Sequence, residues 1–162
     1  MEPAGLARIF PRALSTGERY GVMTVRHGAA NSECSVLRAT LGNPGDGHRT
    51  DKVVLADTLL QDLAARDFTV NAMALDARRC LLYDPFGGMS DCESRVLRAV
   101  SDPSLLMLQA EGLRTLRAYR FLGATAPPGA APWRLDQALK TALTEAAPLL
   151  AKISRERVGS EL

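Results

Sequence analysis

Asp62-Leu63-Ala64-Ala65-Arg66-Asp67-Phe68-Thr69-Val70-Asn71-Ala72 places an arginine, an aspartate, a threonine and an asparagine close together at the end of an apolar run. Upstream, Asp57 or Thr58 offers a helix N-cap, and Leu59, Leu60 and Leu63 supply one helical face. Arg66 has the planar fork that grips a phosphate. Asp67 and Asn71 can hydrogen-bond a ribose or fix the loop beyond the helix. A capped helix end accounts for the same residues, and residue types alone leave both readings open.

Moving outward, Tyr20 to His27 is short and β-rich, and Glu33 to Thr40 is a second strand; the pair reads as a hairpin turning through Gly28 to Asn31. Gly42, Asn43, Pro44, Gly45 and Gly47 make Leu41 to Asp51 a loop. Val53 to Leu55 is a short apolar run. Phe68 to Leu75 is apolar with mixed period, open to helix or strand. Cys80 to Tyr83 reads as a strand stopping at Asp84-Pro85, followed by a turn at Gly87-Gly88.

Pro103 is expected at the first helical position after Asp102. From there Leu105, Leu106, Leu108, Leu113, Leu116 and Phe121 predict one long helix to about Ala124. Pro127 to Pro132 reads as a linker. Leu135, Leu139 and Leu143 predict another helix, interrupted by Pro148, and Ser154 caps a last one. Strands come first and helices after, which is an α+β layout followed by an all-α piece.

Composition narrows the class. Apolar residues make up 46% and charged residues 23%, which argues against a fully disordered chain and against a fibre. Aromatics are 5%, so the core is expected to rest on Leu, Val and Ala. No apolar run reaches the roughly 18 residues of a membrane span, and Met1 to Phe10 lacks the apolar stretch of a secretory signal. A cytoplasmic protein without membrane contact is expected. Net charge is only +2, yet all the basic residues except Lys52, Lys140 and Lys152 are arginine. Arginine suits phosphate and planar base contacts; a GC-rich genome gives the same bias. Cys34, Cys80 and Cys92 show neither CxxC spacing nor an even number, so no disulfide framework or zinc site is expected.

Several stretches together resemble the class II tRNA nucleotidyltransferase and bacterial poly(A) polymerase family. Ala65-Arg66-Asp67-Phe68-Thr69-Val70-Asn71-Ala72 is similar to the hallmark RRDxTxNA, with Ala65 in place of the first Arg. Asp84-Pro85-Phe86-Gly87-Gly88 resembles DPxxG. Leu97 to Pro103 resembles IRxVxDP. Ala110-Glu111-Gly112-Leu113-Arg114-Thr115-Leu116-Arg117-Ala118-Tyr119-Arg120-Phe121 resembles EDxLRxLRxxRF. Gly21 to Val25 and Glu33 to Arg38 resemble the GTVTV and EVTTLR strands, Asp46-Gly47-His48-Arg49 the DGRR loop, and Ile153 to Leu162 the IsxERixxEL segment. The match runs in order along nearly the whole chain.

The resemblance implies a polymerase-β-like nucleotidyltransferase head, part of a mixed or antiparallel sheet with helices, over 1–101, and an all-α neck over 102–162. It implies transfer of CMP or AMP from CTP or ATP to the 3′ end of tRNA or another RNA, with Mg2+. Nucleotide-binding roles fall by match to Arg66, Asp67, Asn71, Glu111, Arg114, Arg117 and Arg120, with Glu111 and Arg114 presenting a Watson–Crick-like edge to the base. Glu111 stands where the family has Asp, and Ala110 where it has Glu. Three arginines at steps of three repel unless a carboxylate or phosphate sits among them. Glu33 matches the third metal-binding carboxylate. The family's DxD pair and its GGxxRD phosphate loop have no counterpart, and no Asp-x-Asp occurs in the 162 residues; Asp91-Cys92-Glu93 is read as structural. A head-plus-neck portion, cut at both ends and inactive alone, is therefore expected. The alternative is a non-catalytic nucleotide- or RNA-binding fragment or decayed paralogue. Without preceding head strands, Tyr20 to His27 is expected to have a bare edge, favouring a homo-oligomer or a complementary N-terminal fragment as partner.

Overall fold

The structure is a computed structural model that describes residues 8–10, 13–17, 22–28, 30–39, 54–123 and 128–161. The expected loop from Leu41 to Asp51, with Asp46-Gly47-His48-Arg49, lies outside these residues. The chain forms two compact units, one of residues 1–41 and 51–62, the other of 42–50 and 63–162. The architecture is α+β, as expected.

In the first unit β1 (Leu14–Gly17), β2 (Val22–His27) and β3 (Ala30–Ser35) form an antiparallel sheet in the order β1-β2-β3. The β2–β3 hairpin is the predicted one, with Gly28 in the left-handed region at φ 59°. Its ladder runs from Val22↔Ser35 to His27↔Ala30, so the second strand starts earlier than the expected Glu33. Pairing up to the turn satisfies backbone groups that a wider loop leaves open. Of the bare edge expected at Tyr20 to His27, the Val22–Thr24 part is covered, because β1, a segment without apolar alternation, pairs with β2 there. The rest of the expected second strand is a separate element, β4 (Arg38–Ala39), antiparallel to β5 (Val54–Leu55).

The division between units falls inside α1 (Leu59–Ala64). Its start is a capping box. Thr58 Oγ1 accepts from Gln61 N at 3.3 Å, and Gln61 Oε1 accepts from Asp57 N at 2.7 Å and Thr58 N at 3.3 Å. Asp62 Oδ1 accepts the Arg38 amide at 2.8 Å.

After α1 the second unit carries a single 3-10 turn, Thr69–Asn71, and a hairpin of β6 (Ala74–Asp76) and β7 (Leu81–Tyr83). The ambiguous Phe68–Leu75 stretch is thus divided between the two. Asp84 then caps α2 (Gly88–Ser94), its carboxylate accepting Gly88 N at 2.7 Å and Met89 N at 2.9 Å. Gly88 has a steric reason: a Cβ there would lie 2.2 Å from the Thr69 carbonyl oxygen. β8 (Val96–Leu97) follows, parallel to β9 (Arg134–Leu135).

The single long helix expected from Pro103 to Ala124 is two: α3 (Ser104–Ala110) and α4 (Leu113–Gly123). Glu111 between them is extended, at φ −152° and ψ 103°. Gly112, a poor helix former, sits at the break. Pro103 is also extended, so it precedes α3 as its N-cap rather than opening it. Leu135, expected in a helix with Leu139 and Leu143, lies in β9. Asp136 then caps α5 (Gln137–Ala146), accepting from Leu139 N at 3.0 Å. Pro148 lies early in a 3-10 segment, Ala147–Lys152. Ser154 Oγ accepts from Arg157 N at 3.4 Å at the start of α6 (Arg155–Glu161), as predicted.

The core joins Phe68, Leu97, Ala99, Met107, Leu108, Ala118, Leu139, Ala142, Leu143 and Ala146, so Leu and Ala dominate, with Phe68 fully buried among them. Phe68 meets Phe121 edge-on at 5.6 Å, and Phe121 meets Trp133 at 5.8 Å. No helix among the described residues is long and apolar enough to cross a membrane.

Candidate functional site

The break before α4 builds the site. Because Glu111 lies outside the helix, its side chain does not continue the row of Arg114, Arg117 and Arg120 but stands at the start of α4. The Arg114 amide donates to the Glu111 carbonyl at 3.0 Å. Arg114 is held by backbone on two sides, Nη2 donating to Ala65 O at 2.8 Å and Nη1 to Met107 O at 3.4 Å. Its Nε lies 3.8 Å from Glu111 Oε2. Glu111 Oε1 accepts from Arg157 Nη2 of α6 at 2.6 Å.

One turn further, Asp67 is 6% exposed. Its Oδ2 accepts from Arg117 Nε at 2.6 Å, and its Oδ1 accepts from Phe68 N at 2.8 Å and Asn71 Nδ2 at 3.1 Å. Burial pushes this carboxyl up. The Asn71 hydrogen bond, the Arg117 charge and bond, and the Phe68 amide outweigh burial and hold it below its ordinary 3.8. Burial likewise disfavours charge on Arg117, yet Asp67, Glu161 and Glu111 raise it above its ordinary value. Asp67 and Arg117 are therefore a fixed ion pair. Glu161 Oε1 lies 3.0 Å from Arg120 Nη2 and 3.7 Å from Arg117 Nη1, as an ion pair without hydrogen-bond alignment. The carboxylates that an arginine row requires are thus Glu111, Asp67 and Glu161.

A second network fixes the turn that carries Asp67. Thr69 Oγ1 donates to Asp91 Oδ2 at 2.7 Å, and Arg98 bridges Asp91 (3.1 Å) to Asp136 (2.9 Å). Val100 N donates to Asp67 O at 3.1 Å. Asp91 is structural, as read from the sequence.

Asp67, Asn71, Glu111, Arg114, Arg117 and Arg120 come together within the second unit. Arg66 is exposed just past the end of α1. Glu33 is exposed on β3 in the first unit, paired in register with Thr24. The residues do not fit a two-metal site: the sequence has no Asp-x-Asp, and among the described residues no three His, Cys, Asp or Glu side chains gather around a common point. Sequence reasoning missed Arg157 and Glu161. The available signal was their spacing of four within the stretch that resembles IsxERixxEL, which puts both on one helix face.

The ordered motifs and the α+β architecture agree with a head domain of the poly(A) polymerase family. Residues 1–98 match the Poly A polymerase head domain family, and the chain belongs to that family. It is similar to a CCA-adding enzyme of Geobacillus sp. (strain WCH70), 35% identical over 98% of this chain and 37% of that enzyme. It is 36% identical to a CCA-adding enzyme of Streptococcus gordonii over 98% of this chain and 38% of that enzyme. The fold matches the crystal structure of the Bacillus stearothermophilus CCA-adding enzyme in complex with CTP, with TM-score 0.80 at 31% identity over 98% of this chain and 36% of that one. It also matches a tRNA nucleotidyltransferase complexed with a primer tRNA and an incoming ATP analog, with TM-score 0.70 at 27% identity over 98% of this chain and 42% of that one. The chain spans 37% of the first of these enzymes and 38% of the second.

Proposed function

We propose that this chain is the nucleotide-selecting portion, head 1–101 and neck 102–162, of an RNA 3′-end nucleotidyltransferase of the CCA-adding type, acting on tRNA or another RNA 3′ end. The observation that carries the reading is Glu111 and Arg114 side by side at the start of α4, one an acceptor and the other a donor. Cytosine and adenine each present an amino donor beside a ring-nitrogen acceptor. Guanine and uracil present a carbonyl beside an N–H. An acceptor–donor pair therefore favours CTP and ATP, and mispairing leaves partly buried polar groups unmatched. Arg66 takes the sugar–phosphate side. Asp67 and Asn71 hold Arg117 in place, and Arg117 and Arg120 supply positive charge along the nucleotide.

The resemblance implies Mg2+ for the transfer step, but the described carboxylates of this chain do not fit that role, and the sequence has no Asp-x-Asp. Binding and base selection are therefore assigned to this chain, and transfer to a protein completed by an Asp-x-Asp segment, from a complementary N-terminal fragment or a longer chain. A homo-oligomer would not by itself supply that pair. The rival reading, a non-catalytic nucleotide- or RNA-binding module, is favoured by Ala65 and Ala110 replacing the family's Arg and Glu.

The test uses the purified 162-residue chain and the same chain completed with an Asp-x-Asp segment. Each is given labelled CTP or ATP, Mg2+ and a tRNA lacking its 3′ end. The proposal predicts that both bind and only the completed protein incorporates. Binding without incorporation by either favours the non-catalytic module. Failure to bind either triphosphate contradicts the proposal, and failure to bind the tRNA as well contradicts the rival.

A further inference from the structure

We infer that the tip of the β6–β7 hairpin is a contact for the phosphate backbone of the RNA, an inference that rests on the RNA-binding reading above. The hairpin is anchored at its base and open elsewhere. β6 begins three residues after Asn71, and β7 ends beside Asp84, which caps α2. Gly88 of α2 lies so close to the Thr69 carbonyl that a Cβ has no room. Both strands therefore rise from the turn that follows Asp67. Among the described residues no third strand flanks them. Leu75 is 66% exposed and Leu81 60%, and Leu82 and Tyr83 are exposed as well. Contiguous open apolar surface of this kind marks an interaction site.

The loop between the strands indicates the partner. Asp76 Oδ1 accepts from Arg78 N at 3.0 Å and Arg79 N at 3.2 Å, so a carboxylate closes the turn on itself. Asp84 spends both oxygens on the amides of Gly88 and Met89. The carboxylates at the two ends of the hairpin are thus committed to backbone donors. Against the arginines there remains Asp76 Oδ2, 3.6 Å from Arg79 Nη1 in an exposed pair of little strength. Arg78 makes no ion pair among the described residues. Asp76, Arg78 and Arg79 line an open cleft. Two guanidinium groups on successive residues, carried by a closed turn and facing water, suit the oxygens of a polyanion. Four open apolar side chains fall short of the roughly 20–30 residues a side that a stable protein interface engages, which disfavours a second copy as occupant. RNA uses both features. Phosphates meet the arginines, and Leu81 and Tyr83, which alternation places on one face, offer an apolar surface to a base or ribose.

The experiment measures binding of a tRNA lacking its 3′ end to the 162-residue chain between about 50 and 200 mM salt. CTP binding, thermal melting and sedimentation are followed in parallel. The variants are Arg78→Gln, Arg79→Gln and the two combined. Arg26→Gln, an exposed arginine of β2, controls for loss of one charge. Each hairpin substitution is expected to weaken tRNA about tenfold at the low-salt end, the scale of one charge-assisted hydrogen bond. Each is also expected to lower the slope of log affinity against log salt by about 0.7–0.9, and the pair by about twice that. CTP affinity and Tm are expected to hold. The double variant Arg78→Lys, Arg79→Lys keeps both charges and is expected to keep the slope.

Hairpin variants with the wild-type slope, or no weaker than Arg26→Gln, overturn the contact. A lysine pair that loses the slope overturns it too, because the charge was retained. An equal loss of CTP binding overturns it by placing the arginines at the triphosphate, and a changed oligomeric state in place of the RNA effect does so by making a second copy the occupant. All of these leave the RNA-binding reading intact. A wild-type chain that binds no tRNA overturns that reading and this inference with it.

Discussion

Asp67→Asn is the sharpest perturbation of the second unit's interior. The substitution keeps shape and volume, and the new Oδ1 still accepts from Phe68 N and Asn71 Nδ2. What changes is the other atom, an acceptor at 2.6 Å from Arg117 Nε that becomes an amide donor facing a donor. Removing one partner of a fully buried pair costs about 3–5 kcal/mol. Arg117 is only partly buried and still has Glu161 at 3.7 Å, so the expected cost is lower, about 2–3 kcal/mol. For a chain of this length that corresponds to a fall in Tm of about 4–12 °C. Asp76→Asn is the matched control. The Asp76–Arg79 pair is long, at 3.6 Å, and its side chains are 41% and 80% exposed. Such pairs contribute about 0–1 kcal/mol. Differential scanning calorimetry of the two variants beside the wild type decides the matter. An Asp67→Asn variant melting within a degree of wild type, or no lower than Asp76→Asn, would refute the view that the Asp67–Arg117 pair organises this unit.

Three further outcomes follow from the same contacts. Asp67 titrates below its ordinary 3.8 in the fold, so its stabilisation is complete above that value and is lost as pH falls below 3.8 through the folded value; the acid limb of a pH–Tm profile is expected to flatten in Asp67→Asn. Gly88→Ala forces a Cβ to 2.2 Å from the Thr69 carbonyl and is expected to destabilise by about 1–3 kcal/mol in urea unfolding, the usual cost of overpacking. Gly159→Ala, inside α6 with nothing within 4 Å of its Cβ, is expected instead to stabilise by up to about 1 kcal/mol in the same measurement.

Local chemistry was legible where it was self-contained. The Gly28 hairpin, the Thr58 cap and the Ser154 cap depend on residues within a few positions of each other, and each was readable from spacing. The break at Glu111-Gly112 was hidden because Leu105, Leu108, Leu113 and Leu116 keep a helical period across it. Leu135 was misread because its spacing to Leu139 is helical, whereas its strand is set by pairing with Val96–Leu97 far upstream. The candidate site shows the same divide. Arg117 and Arg120 were visible as part of a row needing carboxylates. Which carboxylates answer them, Asp67 and Glu161, is a tertiary fact that no periodicity carries.

The central claim is that Glu111 and Arg114 read the base while Arg66 meets what all triphosphates share. Competition binding of the four triphosphates to Arg66→Ala and Arg114→Ala variants tests it directly. Arg66→Ala is expected to weaken all four about equally, by about 1.5–3 kcal/mol for a lost charged hydrogen bond. Arg114→Ala is expected to flatten the preference for CTP and ATP over GTP and UTP while general affinity falls less. If both substitutions weaken all four alike, the base-reading role is contradicted and the arginine row is a sequence-independent electrostatic surface.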